Sequence, residues 1–291
     1  MPDILALELK FNITQYVQDR DVLQALTAVS KAWNRAAQVV LFRTLSLHIG
    51  TKTGRKKVSD FITFLQNSPH IRPLICTLRL VGFREGLSFL TELPTLEVSR
   101  IFTLITLLPN VRELAVRLLA IPGPLDPLDL DDTTYLHRPC KLSLWSLCID
   151  EIAFHILLTR LTGSTLSVSS MQFNQPDDAS EIAPPFPDDV LDSVRSLTLG
   201  HDDLYWSNFR AEPGETFNVE DLAPNWPNLI SYAPSNLVSF GASCALDMPG
   251  EILTLVEFLK SECRWLDDLR LTLIPTVFGD GIDAEHVGTY F

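Results

Sequence analysis

The chain has 291 residues, of which 46% are hydrophobic, enough for a sizeable core in one elongated domain or two unequal domains. Its formal net charge of -13 is unevenly distributed: residues 1–57 carry nine Lys and Arg against four Asp and Glu, and residues 58–291 carry fourteen against thirty-two. So acidic a body repels phosphate backbones, which argues against nucleic-acid binding.

Cysteine usage and hydropathy indicate the compartment. The five cysteines are scattered and include no C-x-x-C pair, which argues for a reducing environment rather than a secreted disulfide framework. The opening MPDILALELKF lacks the basic start and continuous apolar run of a signal peptide. The most apolar stretch, IFTLITLLP at 101–109, is far shorter than the roughly 20 residues that cross a bilayer. We therefore expect an intracellular protein, cytoplasmic and/or nuclear, without a membrane partner.

The first 45 residues predict three short helices. In ILALELKFNITQYV, the residues Leu5, Leu9, Ile13 and Val17 recur every fourth position and share one helical face. Asp21 is the predicted N-cap of a second helix. The apolar residues of that helix are Val22, Leu23, Leu26 and Val29. Those of the third are Trp33, Val40 and Leu41. So small a unit cannot bury its apolar faces completely without a neighbour or partner.

From residue 43 onward, short leucine-containing strand motifs alternate with helical stretches. The motifs begin at residues 45, 78, 114, 142, 166, 197, 237 and 269, roughly 24 to 40 residues apart. Four intervals contain amphipathic helices: VSDFITFLQ, SRIFTLITLL, EIAFHILL and EILTLVEFLK. The alternation predicts an α/β fold with an irregular leucine-rich-repeat-like solenoid over residues 46–291. An ordinary α/β domain also alternates in this way and stays open as an alternative. The end of the sequence, up to Phe291, shows no polar capping repeat, so a truncated or unusual terminus is also open.

Three polar inserts interrupt this pattern at residues 121–139, 175–190 and 201–227, and their proline and acid content predicts loops. If such loops share one rim, their field favours a basic target segment; the alternative is that they only keep the chain soluble. Eight aspartates of the first two inserts are the candidate target-binding residues: Asp126, Asp129, Asp131, Asp132, Asp177, Asp178, Asp188 and Asp189.

No catalytic or metal-binding motif is complete. GTKTGRKK at 50–57 has only three residues between its glycines and lacks the Lys-Ser/Thr ending of a phosphate-binding loop, so a basic exposed loop is the better interpretation. The set His137, Cys140, Cys148 and His155 does not have a zinc-site spacing. HDD at 201–203 has no accompanying nucleophile, and DGIDAEH near the end has the wrong carboxylate spacing for calcium. We expect no enzymatic activity, metal or cofactor.

The segment LALELKFNITQYVQDRDVLQALTAVSKAWNRAAQVVLFRTLSL resembles the F-box, a three-helix module that docks on the Skp-type adaptor of cullin–RING ubiquitin ligases. The family pattern opens with Leu-Pro-x-Glu-Ile and closes with a Val-Cys-Lys/Arg-x-Trp run followed by Leu-Phe or Leu-Trp. Twelve residues match in order: Leu5, Glu8, Leu9, Ile13, Val17, Asp21, Leu23, Val29, Lys31, Trp33, Leu41 and Phe42. Ala6 stands where proline is usual and Ser30 where cysteine is usual, while Lys10 and Thr14 occupy often-apolar positions.

The remainder is similar to the divergent leucine-rich-repeat region that follows the F-box in many fungal proteins. The resemblance implies an F-box-like module over residues 1–45 and a repeat region over 46–291. The protein would then be a non-catalytic substrate receptor of an SCF-type ligase, with a target bound by the repeats and ubiquitin transferred by other subunits.

The resemblance also assigns residue roles. Trp33 is expected to be structural, packing the third helix against the first two. Ten residues are expected at the adaptor: Leu5, Ala6, Glu8, Leu9, Ile13, Val22, Leu23, Leu26, Val29 and Lys31. Two alternatives stay open: the helices only cap the open end of the solenoid, or the chain is a repeat-like interaction scaffold with no ligase role.

Overall fold

The computed structural model describes residues 5–50, 54–83, 93–123, 139–174, 191–200, 237–245, 249–261 and 266–274. The described chain begins with three helices: α1 Leu7–Tyr16, α2 Arg20–Thr27 and α3 Lys31–Arg43. Both α1 and α2 pack on α3. The helices occupy the predicted segment, but α1 begins after Leu5. Ala6, with φ -59° and ψ 148°, is outside the helical range and forms the N-cap.

Side-chain caps fix the starts of α2 and α3. The carboxylate of Asp19 accepts hydrogen bonds from the backbone N–H groups of Asp21 (2.8 Å) and Val22 (3.3 Å). The prediction of Asp21 as N-cap was therefore wrong by two residues, since Asp21 lies in the first turn. The Ser30 hydroxyl accepts from the Trp33 N–H at 3.3 Å, so the serine that departs from the F-box pattern serves as the cap of α3.

The rest of the described chain is an open parallel sheet with helices. Its nine strands are β1 Thr44–Gly50, β2 Thr77–Phe83, β3 Glu113–Arg117, β4 Ala120–Ile121, β5 Lys141–Asp150, β6 Thr165–Asn174, β7 Ser196–Gly200, β8 Ser239–Ala245 and β9 Asp268–Ile274. The described helices after α3 are α4 Gly54–Asn67, a 3₁₀ turn Arg72–Leu74, α5 Val98–Leu107, α6 Glu151–Leu161 and α7 Pro249–Ser261. The fold class is α/β, as predicted.

Strand order follows chain order. The sheet runs β1-β2-β3-β5-β6-β7-β8-β9, every pair is parallel, and the two-residue β4 pairs with β5 beside this path. Each leucine motif found in the sequence lies in or borders a strand. The four amphipathic stretches form α4 to α7, with Leu108 of SRIFTLITLL as the C-cap of α5. The basic-loop interpretation of residues 50–57 was wrong in part: residue 50 ends β1, and α4 already begins at Gly54.

The strands are in register, which aligns their leucines into two ladders. The first consists of Leu45, Leu78, Leu114, Leu142, Leu166, Leu197, Phe240 and Leu269. The second consists of Leu47, Leu80, Val116, Leu144, Val168, Leu199, Ala242 and Leu271. From β2 to β8 the ladder residues are buried in one cluster with apolar residues of α4 to α7. Because side chains alternate along a strand, the residues between the leucines lie on the opposite face.

The strand-entry turns are also linked from one unit to the next. Cys76 N–H donates to the Arg43 carbonyl at 2.9 Å, and Arg112 N–H donates to the Cys76 carbonyl at 2.8 Å. The turn LPNV at 108–111 leads into β3, and its Asn110 side-chain amide donates to the Pro73 carbonyl at 2.8 Å; Pro73 lies in the 3₁₀ turn that leads into β2. The asparagine of this turn therefore helps to fix the position of one strand entry against the last. No helix in the part of the chain that the structure describes is both long and apolar enough to span a membrane.

The ladders should dominate stability. We expect Leu114→Ala to lower the free energy of unfolding by about 2–5 kcal/mol, because it leaves a cavity between two neighbouring leucines. The matched control is Leu253→Ala on α7, whose side chain is 63% exposed and whose loss should cost about 0.5 kcal/mol or less. Chemical denaturation of both variants makes the comparison, and similar losses would contradict the buried ladder.

Candidate partner-binding surfaces

The first helix presents its apolar residues to solvent. Leu9 is 50% exposed, Ile13 44% and Tyr16 86%, and the three lie on one face because they are spaced by four and three residues. Leu5, just before the helix, is 43% exposed. An apolar stripe on the outer side of a surface helix is a feature of interaction sites.

The inner face of α1 is polar. Lys10 is 2% exposed and Thr14 is fully buried. The Thr14 hydroxyl lies 3.0 Å from the Phe11 carbonyl and 3.4 Å from the Ala36 carbonyl of α3. The Lys10 ammonium lies 5.8 Å from the centre of the Trp33 ring, within cation–π range. Lys10 and Thr14, two of the four departures from the F-box pattern, therefore both contact α3.

The second helix also has exposed apolar residues. Val22 is exposed, Leu26 is half-buried, and Val29, just after the helix, is exposed; their spacing of four and three residues places them along one side. Ala6, Glu8 and Lys31 are exposed as well. The expectation that Leu23 lies at the adaptor was wrong. Leu23 is 4% exposed, because its side chain points into the three-helix unit, and it is not available to a partner. Sequence reasoning missed Tyr16, although its spacing from Ile13 indicated the same face.

Trp33 lies at the contact of α1 and α3 but is only half-buried. Its Lys10 contact agrees with a structural role. The fully buried residues of α3 are instead Ala36 and Ala37, whose small side chains allow α3 to be approached closely by its neighbours.

A second surface is the sheet face opposite the leucine ladders. It has a pocket of about 400 Å³ over β1, β2, β3 and β5. Its charged lining residues comprise three cations and one carboxylate: Arg79, Arg117, Lys141 and Glu113. The Arg117 guanidinium lies 5.1 Å from the centre of the Trp145 ring, and Trp145 Nε1 donates to the Ser167 hydroxyl at 3.1 Å. In the sequence, Arg79 is the middle residue of the LRL motif, whereas Arg117 and Trp145 directly follow the LAV and LSL motifs at 114–116 and 142–144.

The backbone is strained beside this Arg–Trp pair. Leu118 has φ 54° and Ser146 has φ 50°, values that side chains with a Cβ rarely adopt. Leu118 directly follows Arg117, Ser146 directly follows Trp145, and the Leu118 N–H donates to the Trp145 carbonyl at 3.1 Å. On the neighbouring strand, a Cβ at Gly82 would overlap the Leu118 carbonyl oxygen, so glycine is required for the close approach.

A scan of this sequence against protein-family models gave no match, and a search of curated proteins gave none either. The resemblance to the F-box therefore rests on the sequence residues alone.

The other candidate sites have less support. All eight candidate aspartates of the inserts lie outside the described residues, as do His137, the HDD motif and DGIDAEH. Within the described ranges, no group of three His, Cys, Asp or Glu is placed to hold a metal ion. Burial lowers the pKa of His155, which lies on α6, so its imidazole resists protonation.

Trp33 gives a test of the three-helix packing. A fully buried tryptophan costs about 3–5 kcal/mol when cut to alanine. Because Trp33 is half-buried, we expect Trp33→Ala to lower the free energy of unfolding by about 1–3 kcal/mol. Trp33→Phe keeps a ring above Lys10 and should recover most of that loss. Thermal unfolding followed by circular dichroism measures both; no loss in the alanine variant would rule out a structural role.

Proposed function

We propose that the protein is a non-catalytic substrate receptor of an SCF-type ubiquitin ligase. In this proposal α1 and α2 bind a Skp-type adaptor, the sheet region binds a target protein, and a cullin–RING assembly reached through the adaptor transfers ubiquitin. The observation that carries the proposal is the orientation of α1, with Lys10 and Thr14 inward and Leu9, Ile13 and Tyr16 outward.

This orientation is unfavourable for an isolated protein. Exposing three large apolar side chains forgoes the gain from their burial, about 25 cal/mol per Å² of apolar surface. This cost is offset when a partner covers the outer stripe. A helix that served only to cap the sheet would place its apolar side toward the sheet.

The leucine-rich-repeat-like solenoid is part of the same proposal. It is supported by the in-register ladders, by the strand order that follows the chain, and by the hydrogen bonds that link successive strand entries. An ordinary doubly wound domain would instead reverse its strand order at a switch point.

Adaptor binding is tested by placing charge in the stripe. The double variant Leu5→Asp, Leu9→Asp puts two unpaired carboxylates into the apolar contact, and we expect at least a hundredfold weaker binding of the adaptor, since two lost anchors commonly cost several kcal/mol. The measurement is co-purification with a Skp-type adaptor, followed by titration of the purified proteins.

The matched control is Gln15→Asp, Gln24→Asp, which adds the same charge at two exposed polar positions, one on α1 and one on α2, away from the apolar faces of both helices. It should bind the adaptor as the unmodified protein does. If the Leu5, Leu9 variant also binds normally, α1 is not the adaptor site. If the unmodified protein does not bind an adaptor, the alternative of a repeat-like scaffold without a ligase role is favoured.

The acidic inserts lead to a separate proposal, which comes from the sequence alone: their aspartates favour a basic target segment. Changing all eight to asparagine should slow association with a lysine-rich peptide, and high salt should slow association of the unmodified protein in the same way. Stopped-flow fluorescence measures the rates. Rates insensitive to salt and to the substitutions would leave solubility as the reason for these charges.

A further inference from the structure

We propose that the open face of β1, β2, β3 and β5 binds an acidic peptide segment of a partner protein. The binding site is the pocket lined by Arg79, Arg117, Lys141 and Trp145. The inference rests on the proposed function only in taking this segment to belong to a ligase target. This site is distinct from the inserts in its charge, since the inserts are acidic and this face is basic.

Charge complementarity identifies the occupant. The whole chain carries a net charge of -13, yet the charged lining of this pocket is three cations to one carboxylate. A cationic patch in a molecule of negative net charge attracts an anionic ligand locally. Arginine in particular presents a planar fork of donors that matches a carboxylate.

The spacing of the cations fits an extended peptide. Arg79 is in register with Ala115, two residues before Arg117 on the neighbouring strand. With strands about 4.8 Å apart and a rise of about 3.3 Å per residue, the two Cα atoms are about 8 Å apart. Side chains at alternate positions of an extended peptide are about 7 Å apart, so two acidic residues spaced i, i+2 can face the two arginines.

The aromatic part of the pocket is held in place before any ligand binds. Trp145 is fixed by its hydrogen bond to Ser167 and by the Arg117 guanidinium beside its ring. The positive φ angles at Leu118 and Ser146 come immediately after this pair, at the end of β3 and within β5. Strained backbone of this kind is concentrated at functional sites, where it directs particular side chains. A fixed Arg–Trp pair loses little conformational freedom on binding a peptide.

The test uses the full chain and a fluorescein-labelled peptide of alternating glutamate and alanine, with the glutamine version as the uncharged probe. Anisotropy titration should show binding of the glutamate peptide only, weakened by salt. Arg79→Gln and Arg117→Gln should each weaken binding by at least about tenfold, since each removes a charge-assisted hydrogen bond to the peptide. Arg117→Lys, which keeps the charge but loses the planar contact with Trp145, should fall between Arg117→Gln and the unmodified protein.

The matched control is Arg270→Gln, which removes the same charge from β9 at the far edge of the sheet, where Arg270 pairs with Asp268 at 3.0 Å. It should leave binding unchanged. Equal weakening by all three glutamine variants, or no binding of the glutamate peptide, would overturn the proposal. An oligothymidylate bound as tightly, with the same dependence on Arg79 and Arg117, would overturn the assignment to a peptide.

The adaptor is absent from this assay, so its outcome is independent of the proposed ligase role. The Leu5→Asp, Leu9→Asp variant should bind the glutamate peptide normally, and Arg79→Gln should bind the adaptor normally. Loss of peptide binding in the former variant would show that the two surfaces are not separate and would overturn the proposal.

Discussion

The in-register pairing of the parallel strands is the constraint on which the rest of the structure depends. Leu114 has Leu78 on one side and Leu142 on the other, and the same alignment recurs from β1 to β9. A shift of one residue in any strand would move its leucines to solvent and its polar residues into the core, so burial of the ladder fixes the register. The same register gathers Arg79, Arg117 and Trp145 on the opposite face. The strand register therefore determines both the buried core and the residues on the exposed face.

The N-terminal helices and the sheet present surfaces of opposite character. The N-terminal helices expose an apolar stripe and bury polar groups, whereas the sheet buries apolar ladders and exposes charge. Contacts to the helical stripe would depend on removal of apolar surface from water and would respond little to salt. Contacts to the sheet face would depend on charge and respond strongly to salt. One chain thus carries two surfaces that could be occupied together without competing for the same ligand chemistry.

Much of the fold could be predicted from the sequence, because a strand with leucines at alternate positions and a helix with a four-residue repeat have local signatures. The elements around Leu45, Leu78, Leu114 and Leu142 were found in this way. The orientation of α1 could not be predicted from its periodicity. Which face of α1 contacts α3 depends on tertiary packing around Ala36, and this packing leaves no periodic signal in the sequence. The start of α2 was misplaced because both Asp19 and Asp21 are good caps and only backbone geometry separates them. The pocket could not be predicted, because its residues are far apart in sequence and come together only through the strand register.

Among the described strands, each strand of the main path pairs with the strand before it and the strand after it, and β5 also pairs with β4. Contacts therefore join residues that are separated by one interval of the chain, which keeps the entropy of loop closure small even in an all-parallel sheet. A lengthened connection, such as the one between β7 and β8, changes the cost of one closure by little and leaves the other pairs as they are. Folding in such an arrangement can spread from any unit to the next. The edge strand β9 can open while the centre, around β5, stays closed.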